Sequence, residues 1–293
     1  MEEGYGYLLI AMASILWGTL GVLGEMAFQY AITPTLLIML RLCISSFTLF
    51  FPIFIFKREL LKINRHDIFF FTIFGLFPIA LQRVAYFYAV DFTTATVAAM
   101  LFYTYPAIVA AMSVFFFKKT ITKKTVLAII LTFLGASFTV KIYETSSLIV
   151  NLHGILFGLL SSALFAVYVA MVKRLRNDYS SWTLVFYGDG IGAIALTSVV
   201  GFSRPEVTTF PVQLWLLIFT IAWIPSLLGY FLYSHALKYV EASRGSVVSI
   251  IEPVSAGVLS VIVLAETLES FQVLGIVLAL IGISLLFYRP DKR

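Results

Sequence analysis

Glu252-Pro253 lies inside an apolar run of helical length, Ser246–Glu266, where both residues are costly. A bilayer core gives no water to an ionised carboxylate, nor to the carbonyl that a proline leaves without its helical donor. Such a pair therefore faces protein or a wet cavity. Glu252 could receive a substrate ammonium or a coupling proton; the competing reading is a protonated carboxyl hydrogen-bonded to a neighbouring helix. At comparable depth in other apolar runs stand Trp17, Gln82, Tyr86, Tyr103, Tyr105, Ser161, Ser162, Trp223, Ser226, Tyr230 and Tyr233. Gln82 and Tyr86 are four apart, as are Ser226 and Tyr230, so each pair shares a helix face. A tyrosine hydroxyl needs a partner in lipid, which turns several of these side chains inward. The candidate substrate-binding set is Trp17, Gln82, Tyr86, Tyr103, Tyr105, Ser162, Trp223, Tyr230, Tyr233 and Glu252. It suits amphipathic or aromatic solutes, or cations held by ring faces, with helix packing the alternative for any one member.

The other intramembrane charges divide by depth. Glu25, Arg41 and Arg83 fall in the outer third of their runs, and Lys173, Asp189, His235 and Glu252 in the inner half. Glu25, Arg41, Arg83 and Asp189 are candidate gating residues, since breaking and remaking ion pairs is a two-state element able to close one mouth and then the other. The competing reading has Glu25 and Lys173 reaching interfacial water along their stems. His235, beside Lys238 near a run's end, reads as a solvated interfacial histidine. No nucleophile–base set, GxxxxGKS/T loop, HExxH or cysteine cluster is present, so catalysis, ATP-driven pumping, a metal and a cofactor have no basis. The single cysteine, Cys43, allows no intrachain disulfide.

The elements that must position these residues follow from composition. The chain is 61% hydrophobic with mean hydropathy +1.00 and only 12% charged residues, against roughly 25% in soluble domains. It reads as an all-α, multi-pass protein of the plasma or inner membrane. A span needs roughly 20 apolar residues, and ten runs qualify: 7–28, 35–56, 68–90, 93–117, 125–142, 152–172, 182–201, 213–236, 245–265 and 271–288. Lys and Arg number sixteen in one set of alternate loops and the tail, and two, Lys141 and Arg204, in the other. The positive-inside rule then predicts cytoplasmic N- and C-termini and accounts for the pI near 9.2 without nucleic acid as a partner. The Met1-Glu-Glu start lacks a basic n-region, so the first run is expected to be a retained span.

Sliding the chain by 147 positions superposes Pro78 on Pro225, Tyr86 on Tyr233 and Pro106 on Pro253, with Gly135 on Gly282. This predicts two repeats, 1–145 and 146–293, of five spans each. An odd number of spans makes the second repeat enter the membrane from the opposite side, the inverted architecture of secondary transporters, whose sites lie at the midplane between repeats. Pro78, Pro106, Pro225 and Pro253 fall near mid-span as candidate helix kinks.

At these positions the sequence resembles the EamA-type transporters of the drug/metabolite transporter superfamily. The likeness is carried by Leu16-Trp17-Gly18, Arg41, Pro106, Glu252-Pro253, Ala265-Glu266-Thr267-Leu268, Gln272 and Gly275. Ala265 stands where the family usually has Gly, and Lys118-Lys119 where it usually has Gly-Glu. The resemblance implies ten helices in two inverted halves, a central cavity lined by spans 1, 3, 4, 6, 8 and 9, and export or exchange of small metabolites such as amino acids. The expected partners are a small-molecule substrate and the lipid bilayer. A transporter of quaternary-ammonium or drug-like cations is the alternative within this class, and a passive facilitator or channel the alternative outside it. Gly154 and Gly158, a GxxxG pair, read as packing within the bundle, which leaves the oligomeric state open.

Overall fold

The computed structural model describes residues 2–93, 95–117, 120–139, 141–144, 151–201, 205–264 and 268–287. Regular structure among them is entirely helical. In chain order the helices are α1 (Glu2–Phe28), α2 (Pro34–Phe56), α3 (Arg65–Phe92), α4 (Val97–Phe115), α5 (Lys123–Thr139), α6 (Leu152–Leu175), α7 (Ser181–Val200), α8 (Val212–Ala236), α9 (Ala242–Val263) and α10 (Ser270–Phe287). Eight of them, all but α5 and α10, are long and apolar enough to cross a membrane. The shorter α5 and α10 occupy the other two expected runs. Three family-like positions, Ala265, Glu266 and Thr267, lie outside the described residues, as do Lys118, Lys119 and Arg204.

Local chemistry sets the boundaries. Thr33 and Ser180 accept hydrogen bonds from the first-turn amides of Leu36 and Thr183, and Pro34 opens α2, where its missing N–H is not needed. Gly201 ends α7 at φ 90°, a conformation that side chains disfavour. Inside the bundle the four expected proline kinks take two forms. Pro78 and Pro225 sit in seven-residue π-helical segments, Gly75–Leu81 and Ala222–Leu228, which lie 147 positions apart at both ends. The wider turn accommodates a ring that would clash with the preceding carbonyls of an α-helix. Pro106 and Pro253 instead follow breaks: α4 opens into a turn at Tyr103–Thr104 and α9 at Ser249–Ile250. Each proline then occupies the first turn of the resumed helix, where no intrahelical N–H is required.

Packing is reversed relative to a soluble domain. Phe47, Phe56, Phe69, Phe115, Ile194 and Val199 lie on exposed outer faces, whereas Ser14, Ser45, Gln82, Arg83, Ser161 and Asp189 are buried. With lipid as the outer solvent, apolar burial drives little association, and close approach and interhelical hydrogen bonds hold helices together. α5 and α10 meet backbone to backbone: a Cβ on Gly135 would lie 2.5 Å from the amide nitrogen of Ala279, and one on Gly275 would lie 2.6 Å from the Gly135 carbonyl. Gly154 and Gly158 face Thr93 and Leu101, within the bundle as expected.

Polar contacts gather at two ends. At one, Tyr179 donates to Asp67 and accepts from the Asn64 amide, Tyr187 donates to the Leu61 carbonyl, and Arg244 pairs with Glu3 at 3.2 Å. Lys173 Nζ donates to the carbonyls of Leu237 (2.6 Å) and Val240 (2.8 Å) beyond the end of α8. At the other, Lys141 Nζ and the Tyr143 hydroxyl both donate to Glu269, each at 2.8 Å.

Candidate functional site

Glu252 stands in the first turn of the resumed α9, directly after the Ser249–Ile250 break. Its amide donates to the Ser249 carbonyl at 3.0 Å, and its half-buried carboxylate lies within electrostatic reach of the hydroxyls of Tyr86, Tyr103, Tyr105 and Tyr233. Among the described residues no cationic side chain lies within ion-pair distance of it. The break in α9 is braced from α4: the Tyr105 hydroxyl bonds Ser249 Oγ at 2.6 Å and donates to the Ser246 carbonyl at 3.3 Å. Two interrupted helices, each turned by its own proline, thus support one another beside a carboxylate without a counter-charge.

An aromatic wall extends from this end. Trp17, 3% exposed, has its ring 5.0 Å from both Tyr230 and Tyr233 and 6.0 Å from Phe165. Phe165 packs edge-on to Tyr105 at 4.8 Å and stacks on Tyr168 at 5.4 Å, while Tyr168 meets Tyr230 edge-on at 5.5 Å. The indole Nε1 of Trp17 is buried without a hydrogen-bond partner, and the buried Tyr233 hydroxyl faces the Ser249 side chain. An unmade bond of that kind costs about 1–3 kcal/mol.

Beyond Tyr230 the wall meets a second charged group. The Arg83 guanidinium carbon lies 4.8 Å from the Tyr230 ring centroid, and its Nη1 donates to the Ile79 carbonyl at 2.7 Å, inside the π-helical segment of α3. Asp189 of α7 accepts from Ser45 Oγ of α2 at 2.6 Å and lies in the electrostatic field of both Arg83 and Arg41.

Most of the expected site residues come together here, and a few do not. Trp17, Tyr86, Tyr103, Tyr105, Tyr230, Tyr233 and Glu252 share one interior region. Gln82 and Ser162 border it, engaged in interhelical bonds: Gln82 Nε2 donates to Ser161 Oγ at 2.9 Å, and Ser162 Oγ bonds Thr104 Oγ1 at 2.8 Å. Trp223 stands apart, 47% exposed on the outer face with its Nε1 donating to Thr48 Oγ1 at 2.9 Å. The Glu25 side chain lies outside the described residues.

Arg41 and Arg83, expected at a different depth from Asp189, lie within electrostatic range of it. Arg41 comes seven positions after Pro34 and Asp189 eight after Ser181, about 11 and 12 Å of helix rise from opposite ends. Across a core of about 30 Å that leaves about 7 Å, which an arginine side chain spans. Lys173 donates to two carbonyls past the C-terminus of α8. Phe165 and Tyr168 were missed by sequence reading. Their signal was available, since Ser161, Phe165 and Tyr168 follow the i, i+4, i+7 spacing of one helix face.

Comparison with known proteins agrees with this architecture. The sequence profile of the EamA-like transporter family matches twice, over residues 4–141 and 152–288. A Clostridium kluyveri protein named as an uncharacterized transporter is 26% identical, with 98% of this chain and 94% of that one covered. The Salmonella typhimurium protein YicL, named as an uncharacterized inner membrane transporter, is 25% identical over 98% of this chain and 97% of its own. A solved crystal structure shares the fold with a TM-score of 0.81 over 96% of each chain, at 17% identity.

Proposed function

The chain belongs to the EamA-like transporter family, and from that premise we propose that it is a secondary transporter that exports an amino acid or a related small metabolite by alternating access. It is a multi-pass protein of the cell membrane, as its eight apolar spans and its inner-membrane relative support. The observation that carries the reading is the Glu252 region: an intramembrane carboxylate beside two broken helices, with four tyrosine hydroxyls in reach and an aromatic wall rooted on Trp17. In this reading Glu252 receives the substrate ammonium, or a proton when the substrate leaves, and the ring faces hold the apolar body. All ten helices span the membrane as two inverted halves, 1–145 and 146–293, with both termini cytoplasmic. Support for the halves comes from the twofold profile match and from π-helical segments at equivalent positions. Support for the sidedness comes from the loop charges.

A second reading, transport of quaternary-ammonium or drug-like cations, is favoured by the same carboxylate and rings. Counterflow in proteoliposomes separates the two. Exchange of labelled phenylalanine against unlabelled amino acids, absent with tetraethylammonium, is the expected result; the reverse pattern establishes the cation reading. Saturable exchange accelerated by substrate on the far side also sets aside a passive channel. Glu252→Gln keeps the shape and most hydrogen-bonding capacity of the side chain, and it should weaken exchange roughly thirtyfold or more. Wild-type exchange in that variant would make Glu252 purely structural.

A further inference from the structure

The two arginines hold more positive charge than their surroundings answer. Arg83 is 5% exposed, and its Nε and Nη2 are buried without a partner; the buried Nε of Arg41 also has none. The carboxylate of the group, Asp189, is engaged by Ser45, and neither guanidinium lies within 4.0 Å of it among the described residues. Two cations and one anion leave the cluster with one formal positive charge in a low-dielectric interior, where unanswered charge is expensive. A guanidinium answers such a cost best through hydrogen bonds to an anion, and Arg83 has bonds still to make. Its Nη1 is fixed on the Ile79 carbonyl and its plane is held near the Tyr230 ring, so the free Nε and Nη2 present a preorganised fork of the geometry that carboxylates accept.

We propose that Arg83, assisted by Arg41, is the binding site for the carboxylate of the transported substrate, whose apolar body lies against Tyr230, Tyr168 and Trp17. This rests on the organic-metabolite reading above and assigns a ligand class to its second charged group. Glu252 and the arginines sit at the two ends of the Trp17–Tyr230–Tyr233 ring set: Tyr230 contacts Arg83, and Tyr233 lies within the reach of Glu252. The cluster is then a receptor rather than a latch, and Asp189 restrains its affinity so that bound anion can leave.

Thermal unfolding of the purified protein tests this with 3-phenylpropionate and its neutral amide as probes. The acid should raise the apparent Tm and the amide should not, because a ligand stabilises by binding the folded state. Arg83→Gln should weaken binding of the acid roughly thirtyfold or more. Asp189→Asn, which retains an acceptor for Ser45 and adds one net positive charge, should tighten it about tenfold. A structural or gating role does not predict that gain, and the Asn variant decides the matter if Arg83→Gln fails to fold. Equal stabilisation by acid and amide overturns the proposal, as does an affinity for the acid that neither substitution changes. It is also overturned if chloride in place of gluconate gives the whole Arg83-dependent effect and the acid adds nothing, since the site would then hold an inorganic counter-ion. Failure of the amino-acid reading is distinguishable: the acid still binds through Arg83 while no amino acid exchanges. Conversely, amino-acid exchange in which Arg83→Gln discriminates no acid from its amide leaves that reading standing and removes this one.

Discussion

Glu252 and the Arg83 group present opposite problems inside one bundle. A carboxyl with no cation within ion-pair distance among the described residues and a positive group with surplus charge are both costly in a medium of low dielectric constant, and the fold keeps them apart. The exterior shows the contrasting arrangement, in which charges are answered locally. Glu269 accepts from Lys141 and Tyr143 beyond the ends of α5 and α10. The Lys141 bond first, and the Tyr143 bond second, hold its carboxyl below the usual carboxylate range, while the bond to Glu269 holds the Lys141 amine above its ordinary value. A carboxylate lowered on folding contributes stability in full above its unfolded value, about 4.3, and loses it as pH falls through the folded value. The lysine's share is full below about 10.4 and is lost as pH rises through its own folded value. Glu269→Gln should therefore lower the apparent Tm slightly at neutral pH, as solvent-exposed pairs do, with the gap to wild type closing as pH falls below about 4. A gap that stays constant from pH 3 to 8 would show that the charge contributes nothing there.

Among the elements, the interrupted helices decide which residues face the interior. Trp223 and Tyr230 are seven positions apart, and an unbroken α-helix would present both on one face. The π-helical segment Ala222–Leu228 begins just before Trp223 and ends just before the helix that carries Tyr230. Its wider turn shifts the phase, so Trp223 faces outward and Tyr230 inward. The prolines were visible in the sequence, and so was the interruption of the helix. The kind of interruption was not, because a proline can end a helix, kink it or sit in a π turn, and neighbouring packing selects among these. Pro225→Ala restores an amide that can rejoin the α pattern. If the segment reverts, everything after it turns by up to about 100°, carrying Tyr230 and Tyr233 off Trp17. The variant should remain folded and monodisperse but lose roughly tenfold or more in exchange rate, since small misplacements of binding groups have large effects. Wild-type exchange by Pro225→Ala would mean that the π turn is incidental.

On the scale of the whole molecule, the spans were readable because lipid imposes a one-dimensional rule, a run of about 20 apolar residues for each crossing. The convergence of Tyr86, Tyr103, Tyr105, Tyr233 and Glu252 was readable because a polar side chain at mid-depth has few places to go but inward. The joining of Arg41 and Arg83 with Asp189 was not, since depth counted along a helix axis omits the reach of a long side chain. Sidedness is the remaining large-scale inference, and the contacts sharpen it. Arg244 pairs with Glu3, Tyr179 with Asp67 and Lys173 with the Val240 carbonyl at one end, and Lys141 and Tyr143 with Glu269 at the other. Basic residues fill the loops of the first end, which the positive-inside rule assigns to the cytoplasm. In a Cys43→Ser background, Arg174→Cys and Lys141→Cys place single thiols at the two ends, Arg174 68% and Lys141 35% exposed. In intact cells a membrane-impermeant thiol reagent should label the thiol at 141 and not the one at 174, and permeabilised cells should label both. Labelling of 174 in intact cells with 141 protected would invert the assignment, and labelling of both would break the two-ended arrangement itself.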